Sequence, residues 1–191
     1  MPYINMSTNL MNATYRLLHE SSKNHVEVGL IMRWDQNDQH IWTIWSEAYH
    51  PGVFTSYTSR GMTREIGGHA EEILIKNWRG YEHEAGFRPR IVDLILTKLP
   101  CFTRSEPVTL NARQLPRGCA RKLKIFIEEI QTGVLDWRIA YFRELNPGPM
   151  SDSENGGTLS ILSGVPKLSI YRFMDHHSFV AQRTDDGLMI G

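Results

Sequence analysis

Cysteine is scarce in this chain: two among 191 residues, too few for a disulfide scaffold. The pair can be free buried thiols, one bridge in an oxidising compartment, or ligands. Long apolar runs are also missing. None approaches the ~20 residues a membrane-spanning helix needs, so no membrane partner is expected. The N-terminus, Met-Pro-Tyr-Ile-Asn-Met-Ser, lacks a basic region followed by an apolar core. A cytoplasmic or nuclear location is therefore expected, with secretion of a processed form left open. Nor is there an excess of charge of one sign: Lys plus Arg is 21, Asp plus Glu is 21, and the net is zero. A protein that coats duplex nucleic acid is usually strongly basic, because phosphate neutralisation carries its affinity. Internal repeats and low-complexity tracts are absent as well.

What is present is ordinary for a globular domain: 41% apolar and 22% charged residues. The length suits one domain, residues 1–191, with a single sizeable core. One local basic group stands out, made of Arg113, Arg117, Arg121, Lys122 and Lys124. It reads either as a nucleic-acid contact or as a solvated helix face with its loop.

Periodicity orders the chain. Residues 7–20 read as an amphipathic helix, with Leu10, Met11, Ala13, Leu17 and Leu18 near helical spacing. Residues 26–34 and 40–47 read as a hairpin around Gln36-Asn37-Asp38, and 50–68 as a loop. A helix follows over 69–81, then a buried-type strand over 91–97 stopped by Pro100. Residues 102–118 look irregular. A helix over 119–131 leads to a strand over 136–143, and 146–157 has loop composition. A short helix over 158–163, a strand over 166–172 and a helix over 175–183 complete the order. Strands alternating with helices predict a three-layer α/β domain. Its first two strands should be antiparallel, and its later ones can be parallel through crossover helices.

The chemistry concentrates in a few positions. His69-Ala70-Glu71 opens a predicted helix after Gly67-Gly68, Cys101 follows Pro100 at a strand end, and Cys119 starts another helix. One imidazole and two thiolates suit tetrahedral zinc with a fourth position open, the arrangement of catalytic rather than structural sites. The positive ends of two helix dipoles favour a thiolate there. Glu71, in the same first turn as His69, is placed to move a proton at that open position. Taken singly, each residue has a plainer reading: a surface or core histidine, two buried thiols. The Asn12-Ala13-Thr14 sequon and the pair His176-His177 are weaker signals, the latter reading as surface.

H-x-E followed by Pro-Cys and a later Cys is the signature of zinc deaminases. The chain resembles the zinc-dependent cytidine deaminase superfamily, and within it the AID/APOBEC-like polynucleotide branch. His69-Ala70-Glu71 is similar to the family's first box, led by Arg60, Gly67 and Gly68. Pro100-Cys101 resembles the second box. Cys119-Ala120-Arg121-Lys122-Leu123 with Phe126 resembles the following helix. Trp137-Arg138-Ile139 with Phe142-Arg143 resembles the next strand and its recognition loop. Gly164-Val165, Ile170, Phe173, Asp175 and Phe179-Val180 resemble the final strand and helix, which free-nucleoside deaminases do not share. The likeness spans about residues 25–180. Two departures accompany it. Seventeen residues, 102–118, separate the cysteines where the family has two to four. Thr97-Lys98-Leu99 stands where the branch has Ser-Trp-Ser.

The resemblance implies a cytidine-deaminase-like fold, a five-stranded mixed sheet with helices on both faces. It implies one zinc per chain on His69, Cys101 and Cys119, and hydrolytic deamination of cytosine with Glu71 as the proton shuttle. The base must leave its stack to enter such a site, so single-stranded DNA or RNA is the expected substrate and partner. Substrate contacts are expected from the Ala70 amide, the Leu99 carbonyl, Phe142, Arg143 and Arg117, with Tyr141 or Phe142 replacing the missing Trp. The insertion 102–118 should emerge beside the pocket; a loop of that length closes at modest entropic cost. In the family this chemistry serves nucleic-acid editing and innate immunity. Two other readings stay open: deamination of free cytidine or deoxycytidine, and a non-catalytic zinc-folded protein that binds nucleic acid or another partner.

Overall fold

A computed structural model describes residues 4–23, 29–46, 68–110, 112–144 and 149–173. In chain order these form α1 (Thr8–Lys23), β1 (Gly29–Trp34), β2 (Ile41–Trp45), α2 (Ala70–Ala85), β3 (Ile91–Lys98), β4 (Val108–Leu110) and β5 (Arg113–Leu115). Then come α3 (Cys119–Ile125), continued by a π-helical turn (Phe126–Ile130), β6 (Asp136–Arg143), α4 (Pro149–Ser163) and β7 (Leu168–Arg172).

Five strands make one mixed sheet in the order β2-β1-β3-β6-β7. β1 runs antiparallel to β2 and β3, while β3, β6 and β7 are mutually parallel. The central strands are buried almost end to end, as strands covered on both faces must be. α1 covers one face, where Leu10, Leu17 and Leu18 meet Ile31, Ile95, Ala140 and Phe142. α2, α3 and α4 cover the other. Its centre is aromatic: Trp78 sits 5.0 Å from Trp34, 5.2 Å from Phe126 and 5.6 Å from Trp137 between ring centroids. The architecture is the expected three-layer α/β/α arrangement.

Differences from the sequence reading are local. Residues 146–157 were expected to be a loop; α4 instead begins at Pro149 and runs through Gly156-Gly157 to Ser163. Its polar residues Glu154, Asn155 and Thr158 are buried, so tertiary contacts override weak helix propensity. The insertion is not wholly irregular, because β4 and β5 pair as a hairpin with Val108 opposite Leu115. α2 continues four residues past Tyr81 and stops at Gly86, whose φ of 76° lets its N–H reach the Glu82 carbonyl at 3.0 Å. Thr14 of the sequon is fully buried and donates to the Leu10 carbonyl. Most of the expected 50–68 loop, the 175–183 helix and His176-His177 lie outside the described residues.

Candidate metal centre

Three chain ends converge on one point. His69 stands at the N-cap of α2 in extended backbone, with φ −77° and ψ 146°. Glu72, three residues on, accepts a hydrogen bond from the His69 backbone N–H at 3.1 Å. That is the carboxylate half of a capping box, and it fixes how the chain enters α2. Cys101 follows β3. The segment between is pinned on both sides: the Leu99 N–H donates to the Arg143 carbonyl and Thr158 Oγ1 to the Pro100 carbonyl, each at 2.8 Å. Cys119 opens α3.

The seventeen-residue excursion returns to its starting point. Ala120 N–H donates to the Cys101 carbonyl at 3.0 Å, and Gly118 N–H to the Ser105 carbonyl at 2.9 Å. Gly118 has φ 90°, and a Cβ there would lie 1.7 Å from the Phe102 carbonyl oxygen. Only glycine lets the chain pass that close. The opening end of the insertion is held by Glu154 of α4, which accepts from the Phe102 and Thr103 N–H groups at 2.9 and 3.1 Å. In space the cysteines are neighbours although the sequence separates them.

The ligand atoms of His69, Cys101 and Cys119 lie within 4.8 Å of one another. His69 Nδ1 and Cys101 Sγ are 3.7 Å apart. One tetrahedral zinc would separate a nitrogen and a sulfur donor by about 3.6 Å. Cys119 N–H approaches Cys101 Sγ at 3.4 Å. Both cysteines are buried and free. The three residues are thus close enough to hold a metal ion, and their donor set is a soft one.

Known proteins offer no shortcut. The chain matches no protein-family model and no curated protein. Its site has to be read from its own residues.

Protonation in the metal-free centre follows from the contacts. A hydrogen bond from Cys119 is the main cause that lowers the Cys101 thiol to about 3; burial opposes it, and His69 adds to it. Burial drives Cys119 the other way, well above the ordinary thiol range. Burial also pulls the His69 imidazole down, but its hydrogen bond with Cys101 and the charges of Glu71 and Cys101 prevail and lift it to about 9. These directions favour a proton on His69 and on Cys119 and a thiolate at Cys101 when no metal is bound. Metal binding would have to displace these protons.

Glu71 is 2% exposed, and its Oε2 has no hydrogen-bond partner among the described residues. Burial, then the Cys101 charge, raises its carboxyl to about 7. A buried carboxyl oxygen left without a partner beside three candidate metal ligands fits a site meant to receive something more. Ala70, at the first helical position, has an N–H that the helix itself does not satisfy.

The other expected contacts scatter. Leu99 is buried, two residues before Cys101. Phe142 is 1% exposed and faces the α1 layer, 4.8 Å from Phe173. That is the sheet face opposite α2 and α3, so its ring is core packing. Tyr141 points to the helix-covered face that carries the ligands. Arg143 is exposed at the end of β6. Arg117 is exposed and paired with Glu106 at 2.7 Å.

The basic group expected over 113–124 is largely neutralised. Arg113 pairs with Glu129, Lys122 with Glu72 and Lys124 with Glu128, while Arg121 lies over the Phe102 ring at 4.3 Å. Sequence reasoning passed over Glu72, Ser105 and the buried position of Lys122. One signal was available: Lys122 falls three residues after Cys119 and four before Phe126, on the buried face of the helix.

Proposed function

We propose that this chain is a zinc-dependent hydrolase that deaminates cytosine in single-stranded DNA or RNA, in the manner of the AID/APOBEC-like deaminases it resembles. The carrying observation is Glu71: a buried carboxyl with an oxygen unpartnered among the described residues, two residues after His69, beside a His-Cys-Cys triad. A purely structural zinc site has no use for it. Zinc bound by His69, Cys101 and Cys119 would supply a Lewis acid that acidifies water at its open position. Glu71, with a carboxyl near neutrality, can take one proton from that water and pass it to the pyrimidine ring nitrogen, then carry the second, from the oxygen added at C4, to departing ammonia. The Ala70 N–H, at the dipole end of α2, suits the pyrimidine carbonyl. No helix among the described residues is long and apolar enough to cross a membrane.

A second reading, deamination of free cytidine or deoxycytidine, draws support from the ion pairs. Four of the five cations expected to track a strand already have acidic partners, and strand affinity depends on cations available to phosphate. One experiment separates the readings. Wild type and Glu71→Ala are incubated with single-stranded DNA, single-stranded RNA, duplex DNA and free nucleosides, and uracil is scored. Uracil in a strand, lost by at least ~100-fold in the variant, supports the first reading. Conversion of free nucleoside alone supports the second. Unchanged turnover in Glu71→Ala would remove Glu71 from the mechanism.

A further inference from the structure

A lysine buried one helical turn from Cys119 must find acceptors for its protons inside the protein. Lys122 is fully buried in α3. Its ammonium has three N–H donors, and three acceptors meet them: Glu72 Oε1, the Glu106 carbonyl, and Ser105 Oγ at 2.8 Å. Ser105 is itself 2% exposed, the fourth residue of the insertion. Its oxygen accepts from Lys122, so its own O–H remains to be given away. Cys119 Sγ lies 3.5 Å from that oxygen, and no other acceptor for the hydroxyl is found among the described residues. As a thiol, Cys119 has one proton to give, either to Cys101 or across this contact to Ser105. A sulfur that holds a metal carries no proton and can only accept. Ser105 then becomes the donor, a role the Lys122 hydrogen bond already orients it to fill.

We propose that Ser105, oriented by Lys122, is a positioning residue for Cys119, an outer-shell hydrogen-bond donor to the metal-ligating sulfur. The insertion between the cysteines therefore supplies part of the metal centre and is more than a surface excursion. Lys122 is also tied through Glu72 to the His69 backbone N–H. One buried network thus reaches two of the three ligands. Groups of this kind orient a ligand and tune its donor strength. The inference rests on the metal-binding part of the proposed function and not on deamination.

The test uses the full chain. Zinc affinity is measured by competition with a chromophoric chelator for wild type, Ser105→Ala and Ser105→Thr. The sulfur-to-metal charge-transfer band is recorded on the cobalt(II)-loaded forms, and the melting of each metal-free protein is followed separately. Ser105→Ala should weaken zinc by about 10–100-fold and shift the band, while Ser105→Thr, which keeps the hydroxyl, should return both toward wild type. Wild-type affinity and band in Ser105→Ala would overturn the proposal, even if that variant melts lower, because the role would then be structural. A threonine variant as weak as the alanine one would overturn it too. A wild type that takes up neither zinc nor cobalt would defeat the metal centre itself, a failure distinct from the other two.

Discussion

Each face of the sheet buries a cluster of charge, and the two clusters end in different places. On the α1 side, Arg33, Asp93 and Arg138 stand side by side on β1, β3 and β6, Arg33 in register with Asp93 and Asp93 with Arg138. Asp93 Oδ2 receives Arg33 at 2.7 and 2.9 Å, and Oδ1 faces Arg138 Nε at 2.7 Å. Arg33 also donates to the Asn5 carbonyl at 2.7 Å, which ties down the segment before α1. Its contacts reach backbone and other charges, and it clamps three central strands. On the opposite side, Glu72 and Lys122 join α2 to α3, and their hydrogen bonds run on to Ser105 and the Cys119 sulfur. Both clusters obey one rule, that charge taken out of water must be paired. Only the second is wired to a candidate ligand set. Burial of charge alone does not mark function; the group at the end of the chain of hydrogen bonds does.

The contrast is exposed most sharply at Asp93. Asp93→Ala would leave two guanidinium groups buried against each other, a loss of about 3–5 kcal/mol, read as a lower urea midpoint. The zinc content of the folded fraction should not change, since no contact of Asp93 leads to His69, Cys101 or Cys119. Zinc loss that exceeds the unfolded fraction would erase the distinction between the faces. The double substitution Glu72→Gln with Lys122→Met should do the reverse. Removing both partners of a buried pair is often close to neutral for stability, so the midpoint should move by less than about 1 kcal/mol. Zinc affinity should fall by about 10-fold, the lower end of outer-shell effects, because Ser105 loses the group that orients it. A large stability loss with unchanged affinity would make the second cluster a clamp like the first.

How much of this was legible in the sequence depends on the range of the interactions involved. β3, β6 and α2 could be read because their patterns are local: strands dominated by β-branched, aliphatic and aromatic residues, and a 3.6-residue stripe through Ala70, Leu74 and Trp78. That His69, Cys101 and Cys119 come together could be read for the same reason, since each lies at or just beyond the end of a regular element. α4 could not. Asn-Pro-Gly-Pro and the later Gly-Gly argue against a helix, and its burial of Glu154 and Thr158 against the insertion and Pro100 is a long-range fact. Lys122 reads from sequence as a nucleic-acid contact or a solvated cation because its partners, Glu72 and Ser105, lie fifty and seventeen residues away. The resemblance implies a substrate contact at Phe142, yet strand alternation puts it on the face opposite Tyr141.

The smallest effect sets the scale for the rest. Arg117 pairs with Glu106 at the insertion's closing end, and their side chains are 53% and 71% exposed. Water and salt screen such a pair, and holding two long side chains together costs entropy. Arg117→Ala should therefore move stability by no more than about 0.5 kcal/mol, against the several expected at Asp93. The root of the insertion is held from inside, by Gly118 against the Phe102 carbonyl and by Lys122 against Ser105 and Glu106. The zinc affinity of Arg117→Ala should therefore match wild type. If Arg117 meets substrate phosphate, the variant should raise KM for a strand with kcat unchanged, and the rise should shrink as salt is added. A stability loss above about 1 kcal/mol would instead mean that the insertion is fastened from its surface, and the buried network would lose its claim to be what brings Cys119 back to Cys101.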